Sequence, residues 1–458
     1  MNHIIHNLKK VVELIKQITK TKILATTLLI GLSSGTLFSQ SFNKPKLDSL
    51  MDILAEKNNA MGSLTISKNG VTVYSRAIGY SSISSGEKIP ATPQTKYRIG
   101  SITKMFTAIM IFQLIEEGKL SLNTTLDKFF PQLPNAKKIT IGNLLNHRSG
   151  LHNFTDVPEY QNWMTQPKTR DEMLAIITKG GVDFQPDEKF SYSNSGYVVL
   201  GYIIEKVSKQ SYSKYLSNRI TSKIGLSNTY VGGKSDLKKN ESFSYRFEND
   251  WEQGPETDLS IPGAAGGIVS TPTDLTKFIE ALFSLKLVSS SSLEQMKKMT
   301  EGYGMGMFQL PFYTKVAYGH NGGIDGFAST LEYFPEDSLA VAYCTNGQVY
   351  PMNNILIGVL SIYFNQPYSV PTFSLKSEDL DKYLGVYSTT QIPPKIIVTK
   401  KGATLFAEVT GGASFPLDPT DKDKFKFEPA GITMEFDPDK SELIVKEGEN
   451  KFFFTKEK

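Results

Sequence analysis

The chain has 458 residues, 40% of them hydrophobic, with 50 Lys and Arg against 46 Asp and Glu and a single cysteine. That length suffices for a large buried core and suggests two domains behind a leader, while one cysteine excludes any intrachain disulfide. The formal charge of +4 sits in the first forty residues, where five lysines face Glu13 alone, so the remainder is neutral and offers no basic footprint for nucleic acid.

Residues 1–40 read as a secretory signal peptide: a basic n-region, an apolar stretch from Ile23 to Leu32, then small residues near Ser34 and Ser39. The expected product is exported, periplasmic or secreted, without stable membrane insertion once the leader is cleaved. Gly31-Leu32-Ser33-Ser34-Gly35 has the spacing of a nucleophile elbow, but it lies in this leader with no strand before it and is set aside. Lys46–Lys57 predicts an amphipathic helix with Leu47, Leu50, Met51 and Leu54 on one face. Strands are expected at Ser63–Ser67 and Val71–Arg76, joined by Asn69-Gly70, a hairpin signal.

Ser101-Ile102-Thr103-Lys104 follows, ahead of a long apolar run from Met105 to Phe112. Ser-x-x-Lys alone is uninformative, since it recurs at Ser41, Ser85, Ser211 and Ser235. On a helix starting near Ser101, Lys104 lies one turn on and within reach of the hydroxyl. The helix N-terminus favours a developing oxyanion, and burial of Lys104 would lower its pKa and make it a usable base. The following run is apolar nearly all round, predicting a buried central helix that stops at Gly118. The alternative is that Ser101 merely caps the helix.

Tyr192-Ser193-Asn194 precedes an apolar, helix-like stretch, Tyr197–Ile204. An ammonium beside Tyr192 would favour its anion, so the phenol could relay a proton; Asn194 could hold the Lys104 amine and a substrate amide. His147 is expected to brace a loop. Asn249–Pro262 reads as a polar surface loop, with Trp251 either packing or touching substrate. Strands return from about Phe308, and His320-Asn321-Gly322-Gly323 opens a glycine-rich segment ahead of a strand at Ala328–Phe334. Its glycines would let substrate lie against a strand edge. Cys344, in the strand-like Leu339–Cys344, reads as a buried hydrophobe. No metal-ligand spacing and no cofactor motif is present.

Asn365–Thr372 looks like a linker, with residues 366–375 as its boundaries. Beyond it, Ile396–Thr399, Thr404–Val409, Lys424–Glu428, Ile432–Phe436, Leu443–Lys446 and Lys451–Thr455 read as short strands after Tyr383–Tyr387. Residues 376–458 are short for eight strands, leaving closure of a barrel open.

Taken together, the Ser101, Tyr192 and His320 motifs resemble the serine β-lactamase and penicillin-binding-protein superfamily, most of all its class-C-like branch. Leu144–Leu151, Gly263-Ala264-Ala265-Gly266-Gly267 and Tyr303-Gly304-Met305-Gly306 fit the same pattern. The resemblance implies an α+β fold: an antiparallel sheet with flanking helices and a helical lobe over residues 41–365, then a lipocalin-like β-domain. It implies Ser101 as nucleophile, Lys104 as its activator, Tyr192 as proton relay, Asn194 and His320-Asn321-Gly322 as substrate contacts, and backbone N–H groups of Ser101 and Gly323 for the oxyanion. Whether Lys104 or Tyr192 is the working base stays open. His320 stands where β-lactamases and DD-peptidases carry a lysine, which implies a D-aminopeptidase- or esterase-like hydrolase acting on a small peptide, amide or ester. The rivals are a true β-lactamase or DD-carboxypeptidase, and a penicillin- or peptidoglycan-binding sensor with little turnover. The C-terminal domain could also mediate homo-oligomer contacts.

Overall fold

The strand Leu339–Gln348 shows how the larger part of the molecule is built. Its residues alternate between two cores: Leu339, Val341 and Tyr343 pack with the helices Lys44–Glu56 and Met352–Tyr363, whereas Ala340, Ala342 and Cys344 face the helical side. Both faces are covered, so the strand is a continuous apolar run from Leu339 to Cys344. It lies inside a six-stranded antiparallel sheet ordered Phe308–Phe312, Lys315–Ile324, Phe327–Phe334, Leu339–Gln348, Ala60–Lys68, Val71–Ile78. The computed structural model describes residues 42–84, 87–248, 250–368, 375, 377–427 and 430–457. The leader assigned to residues 1–40 and most of the 366–375 linker lie outside the described residues. Among those residues no helix is long and apolar enough to cross a membrane.

Local chemistry explains the elements that frame the site. Asn69 and Gly70 both adopt positive φ (54° and 78°), as a tight two-residue hairpin requires. The helix Lys44–Glu56 starts at Asn43, whose side chain accepts from Lys46 N–H at 3.0 Å, and it buries the four apolar residues expected of it. The helix Thr103–Glu116 is buried from Thr103 to Leu114 and runs through the helical core, with Phe106 stacked on Phe278 at 3.7 Å. It ends at Gly118 (φ 69°), where Lys119 N–H reaches back to Leu114 O.

Strands return earlier than the sequence suggests. Tyr97–Arg98, Ile268–Ser270 and Tyr230–Val231 form a small sheet, and Tyr245–Phe247 pairs with Trp251–Gln253. The 249–262 segment is therefore partly a hairpin, and Trp251 packs against Phe247 with Met61 and Tyr245 nearby.

The C-terminal strands close into an eight-stranded barrel, sealed by pairing of Gly385–Ser388 with Asn450–Lys456. Closure removes both sheet edges, and Leu405, Leu417, Phe425, Met434, Leu443 and Phe454 fill the interior. The strand that escaped sequence reading is Ser414–Asp421, which carries Pro416 and Pro419 and shifts register beside the latter. Prolines normally argue against a strand. The barrel touches the larger body where Tyr350 Oη donates to Asp418 (2.9 Å) and Thr404 Oγ1 donates to Asn59 (2.8 Å).

Glu332 is buried in the strand Phe327–Phe334, with no ion pair among the described residues, and burial raises its carboxyl to about 8. Because the folded pKa lies above the unfolded one, folding favours the protonated acid, and stability falls as pH rises from about 4 through about 8. Glu332→Gln should abolish that loss: thermal melts of the two proteins should coincide near pH 4 and separate progressively toward pH 8, the variant being the more stable.

Candidate active site

The turn before Ser101 is fixed from both sides. Arg98 is buried, donating to Thr257 O (2.7 Å) and Gly233 O (3.0 Å) and pairing with Glu256 (2.7 Å) and Asp325 (3.2 Å). Gly100 sits at φ 49°, and a Cβ there would fall 2.8 Å from Gly323 N, so the backbones of Gly100 and Gly323 lie directly against each other. Ser101 occupies a 3-10 turn, Gly100–Ile102, and the α-helix starts at Thr103.

One turn on, Lys104 is fully buried, with no carboxylate beside it among the described residues. Its Nζ lies 2.9 Å from Ser101 Oγ, 2.8 Å from Asn194 Oδ1 and 2.9 Å from Ala265 O. Burial pushes the amine well below its ordinary pKa, toward the neutral form with two hydrogens and a lone pair. Asn194 and Ala265 offer oxygens that can only accept, which take the two N–H groups. The lone pair is then left for the Ser101 hydroxyl, the orientation in which an amine can remove its proton.

Tyr192 shares a hydrogen bond with Ser101, and the Lys104 amine lies 4.8 Å from its ring centre. Loss of water around the phenol raises its pKa above the ordinary range, the direction that favours the protonated phenol. Tyr192 therefore keeps its proton. Its ring packs 4.2 Å from His147, whose Nδ1 accepts Ser193 N–H at 3.1 Å. Burial keeps His147 neutral, so it braces the loop without adding charge.

Asn194 begins the helix Asn194–Ser208 and is held by two residues the sequence reading did not single out. Asn153 Oδ1 accepts its backbone N–H at 2.9 Å, and its side-chain amide donates to Asn153 and Thr155, each at 3.3 Å.

The third motif divides. Gly323 lines the cleft with Ser101 and Asn194, whereas His320 points into a buried aromatic cluster, its Nε2 3.2 Å from Tyr303 Oη and its Nδ1 2.5 Å from Asn321 O. Burial pushes its imidazole down to about 3, so it carries no charge at neutral pH. Asn321 Oδ1 accepts from Thr330 across the sheet (2.8 Å). Gly322 is pressed on the Ser101 turn: a Cβ would sit 2.0 Å from Ile99 O. Thus His320, Asn321 and Gly322 shape the wall from behind rather than facing the cleft. The strand Phe308–Phe312 pairs only as far as Gly319, which leaves His320–Ile324 with a strand neighbour on one side, an edge of the kind predicted for extended substrate.

The cleft at Ser101 has a volume of about 300 Å³, and its remaining walls include Tyr160, Gln161, Met164, Arg246, Thr257 and Asp325. None belongs to a short motif. They come from segments far apart in the chain, a short helix, a hairpin strand and loops, so no local spacing could have marked them.

Comparison with known proteins follows the same residues. A profile of the family described as Beta-lactamase matches residues 48–357. The chain is similar to "Penicillin-binding protein 4*" of Bacillus subtilis (strain 168), 26% identical over 450 residues that take in 89% of this chain and 97% of that one. It is similar to "Teichoic acid D-alanine hydrolase" of Staphylococcus aureus (strain NCTC 8325 / PS 47), 29% identical over 286 residues, 59% of this chain and 67% of that one. The crystal structure of D-amino acid amidase from Ochrobactrum anthropi SV3 complexed with D-phenylalanine superposes with a TM-score of 0.63 at 26% identity, covering 70% of this chain and 99% of that one.

Replacing Arg98 by Leu strands Asp325 and Glu256 without their counter-charge. Loss of one partner from such a buried network costs about 3–5 kcal/mol, which chemical denaturation of Arg98→Leu against the parent should show.

Proposed function

Because the chain belongs to the beta-lactamase family and is a serine hydrolase, we propose that Ser101 forms an acyl-enzyme with a small amide, ester or peptide containing a D-amino acid, and that the protein acts outside the cytoplasm. The observation that carries this reading is the buried, three-partnered Lys104 amine 2.9 Å from Ser101 Oγ. In the proposed sequence Oγ attacks the acyl carbon as its proton passes to Lys104 Nζ. The carbonyl oxygen becomes an oxyanion facing the backbone N–H groups of Ser101 and Gly323. Collapse expels the amine or alcohol, which takes a proton from Tyr192, and Lys104 returns one to the phenol. Water then attacks the acyl carbon as one of its protons passes to Lys104 Nζ, and Lys104 gives that proton to Ser101 Oγ as the acid leaves. Lys104 is thus the base and Tyr192 the acid, an assignment supported by the opposite effects of burial on the two groups.

The D-configuration rests on relatives. One is named for hydrolysing D-alanine from teichoic acid, and another is a D-amino acid amidase. A neutral His320 where penicillin-recognising enzymes hold a lysine disfavours β-lactam turnover. Export rests on the sequence of the leader, and the domain boundaries at 365 and 376 rest on the linker composition.

Ser101→Ala should abolish hydrolysis of D-amino-acid amides, D-alanyl esters and p-nitrophenyl esters while leaving the thermal melt intact; retained turnover would refute the nucleophile. Lys104→Arg, a permanent cation, should cost about 10²–10⁴-fold in kcat/KM, and Tyr192→Phe a loss in the same range. With Lys104 as base, kcat/KM should fall on acidification as its amine takes up a proton. No alkaline limb from Tyr192 should appear below about pH 10, because its pKa is raised above the ordinary phenol value. A cephalosporin should be a poor substrate beside the D-amino-acyl compounds.

A further inference from the structure

Of the residues lining the cleft at Ser101, two bear full charges, Asp325 and Arg246. Asp325 is already satisfied: Oδ2 pairs with Arg98 at 3.2 Å, and Oδ1 accepts Thr257 N–H at 3.0 Å and Thr257 Oγ1 at 2.7 Å. Arg246 is not. It stands on the hairpin Tyr245–Phe247/Trp251–Gln253 and makes no hydrogen bond or ion pair among the described residues. A carboxylate is within its choice, since Glu252 is its direct cross-strand partner, yet no ion pair forms between them. The hairpin beneath it is firmly anchored. Tyr245 and Trp251 are buried, and Tyr245 Oη both accepts Ile83 N–H (2.6 Å) and donates to Ile83 O (3.2 Å). Arg246 also walls an adjoining pocket of about 310 Å³, where Lys401 of the barrel contributes a second cation without an ion pair among the described residues. An anionic chain leaving the cleft past Arg246 would next meet Lys401.

His320 is neutral and burial disfavours a charge on Lys104, so neither is placed to serve as a standing cation for an acid group. We propose that Arg246 is the specificity-determining residue for substrates that carry an oxyanion, a carboxylate or a phosphate, beyond the acyl unit attached to Ser101. A guanidinium can bind either anion with two parallel hydrogen bonds, which makes charge and shape together the criterion of selection. The proposal builds on the reading of Ser101 as nucleophile and adds the chemistry of the leaving group.

The test uses two matched pairs: D-alanyl-D-alanine against its C-terminal amide, and the D-alanyl ester of glycerol phosphate against D-alanylglycerol. The quantity measured is the ratio of kcat/KM, charged to neutral, within each pair. In the parent protein at least one ratio should exceed unity by about tenfold, the pair showing it should distinguish carboxylate from phosphate, and the preference should shrink as salt is raised. Arg246→Gln should collapse that ratio toward one, with Arg246→Lys intermediate. An unchanged ratio in Arg246→Gln, or no charge preference in the parent, overturns the proposal. Absence of Ser101-dependent turnover would instead refute the acyl-enzyme reading. In that case the same ratios, taken from calorimetric binding of each pair to Ser101→Ala, decide the role of Arg246.

Discussion

The site depends on one unfavourable act, the burial of a lysine amine with no counter-ion beside it among the described residues. A charged ammonium in such a place would cost several kcal/mol, so burial drives Lys104 toward the neutral amine. Two oxygen acceptors, Asn194 Oδ1 and Ala265 O, lie within hydrogen-bond distance of it, as does the Ser101 hydroxyl. The same withdrawal from water favours the protonated phenol of Tyr192 and the neutral rings of His147 and His320. Burial thus biases the groups around Ser101 in the directions that the proposed base and acid require.

The rest of the larger domain follows from holding that amine in place. The apolar surround of the helix Thr103–Glu116 seals Lys104 from solvent, while the Ala265 turn approaches it from one side and the Asn194 helix from another. The sheet contributes Gly322 and the turn Gly100, whose missing side chains let a strand lie on the Ser101 turn. Arg98 ties that turn to Glu256 and Asp325, linking the position of Ser101 to the loop that forms the cleft wall. Rigidity here has a chemical purpose, since proton transfer over 2.9 Å tolerates little displacement.

Around this neutral centre the charge has been moved outward. Arg246 and Lys401 stand where a substrate would leave the cleft, one on a hairpin of the larger body and the other on the barrel. The barrel thereby borders the surface next to the cleft, although its own interior is packed with side chains.

Much of this was legible in the chain. The two-residue turn at Asn69-Gly70, the amphipathic Lys44–Glu56 helix, the buried helix after Ser101 and the Ser101–Lys104 spacing are local properties, set by backbone preference and periodicity over a few residues. Sequence could not show that Lys104 lies without a counter-ion, because that depends on what segments more than 80 residues away bring to it. For the same reason the motif order shows that Tyr192 and Lys104 can come together but not how burial biases their protonation. The proline-bearing strand Ser414–Asp421 and the closure of the barrel were likewise tertiary outcomes, since closing the sheet offsets a local preference that argues against a strand. The sequence by itself determined which residues could perform acyl transfer; only the folded chain, by excluding water, decided their protonation and which of them face the substrate.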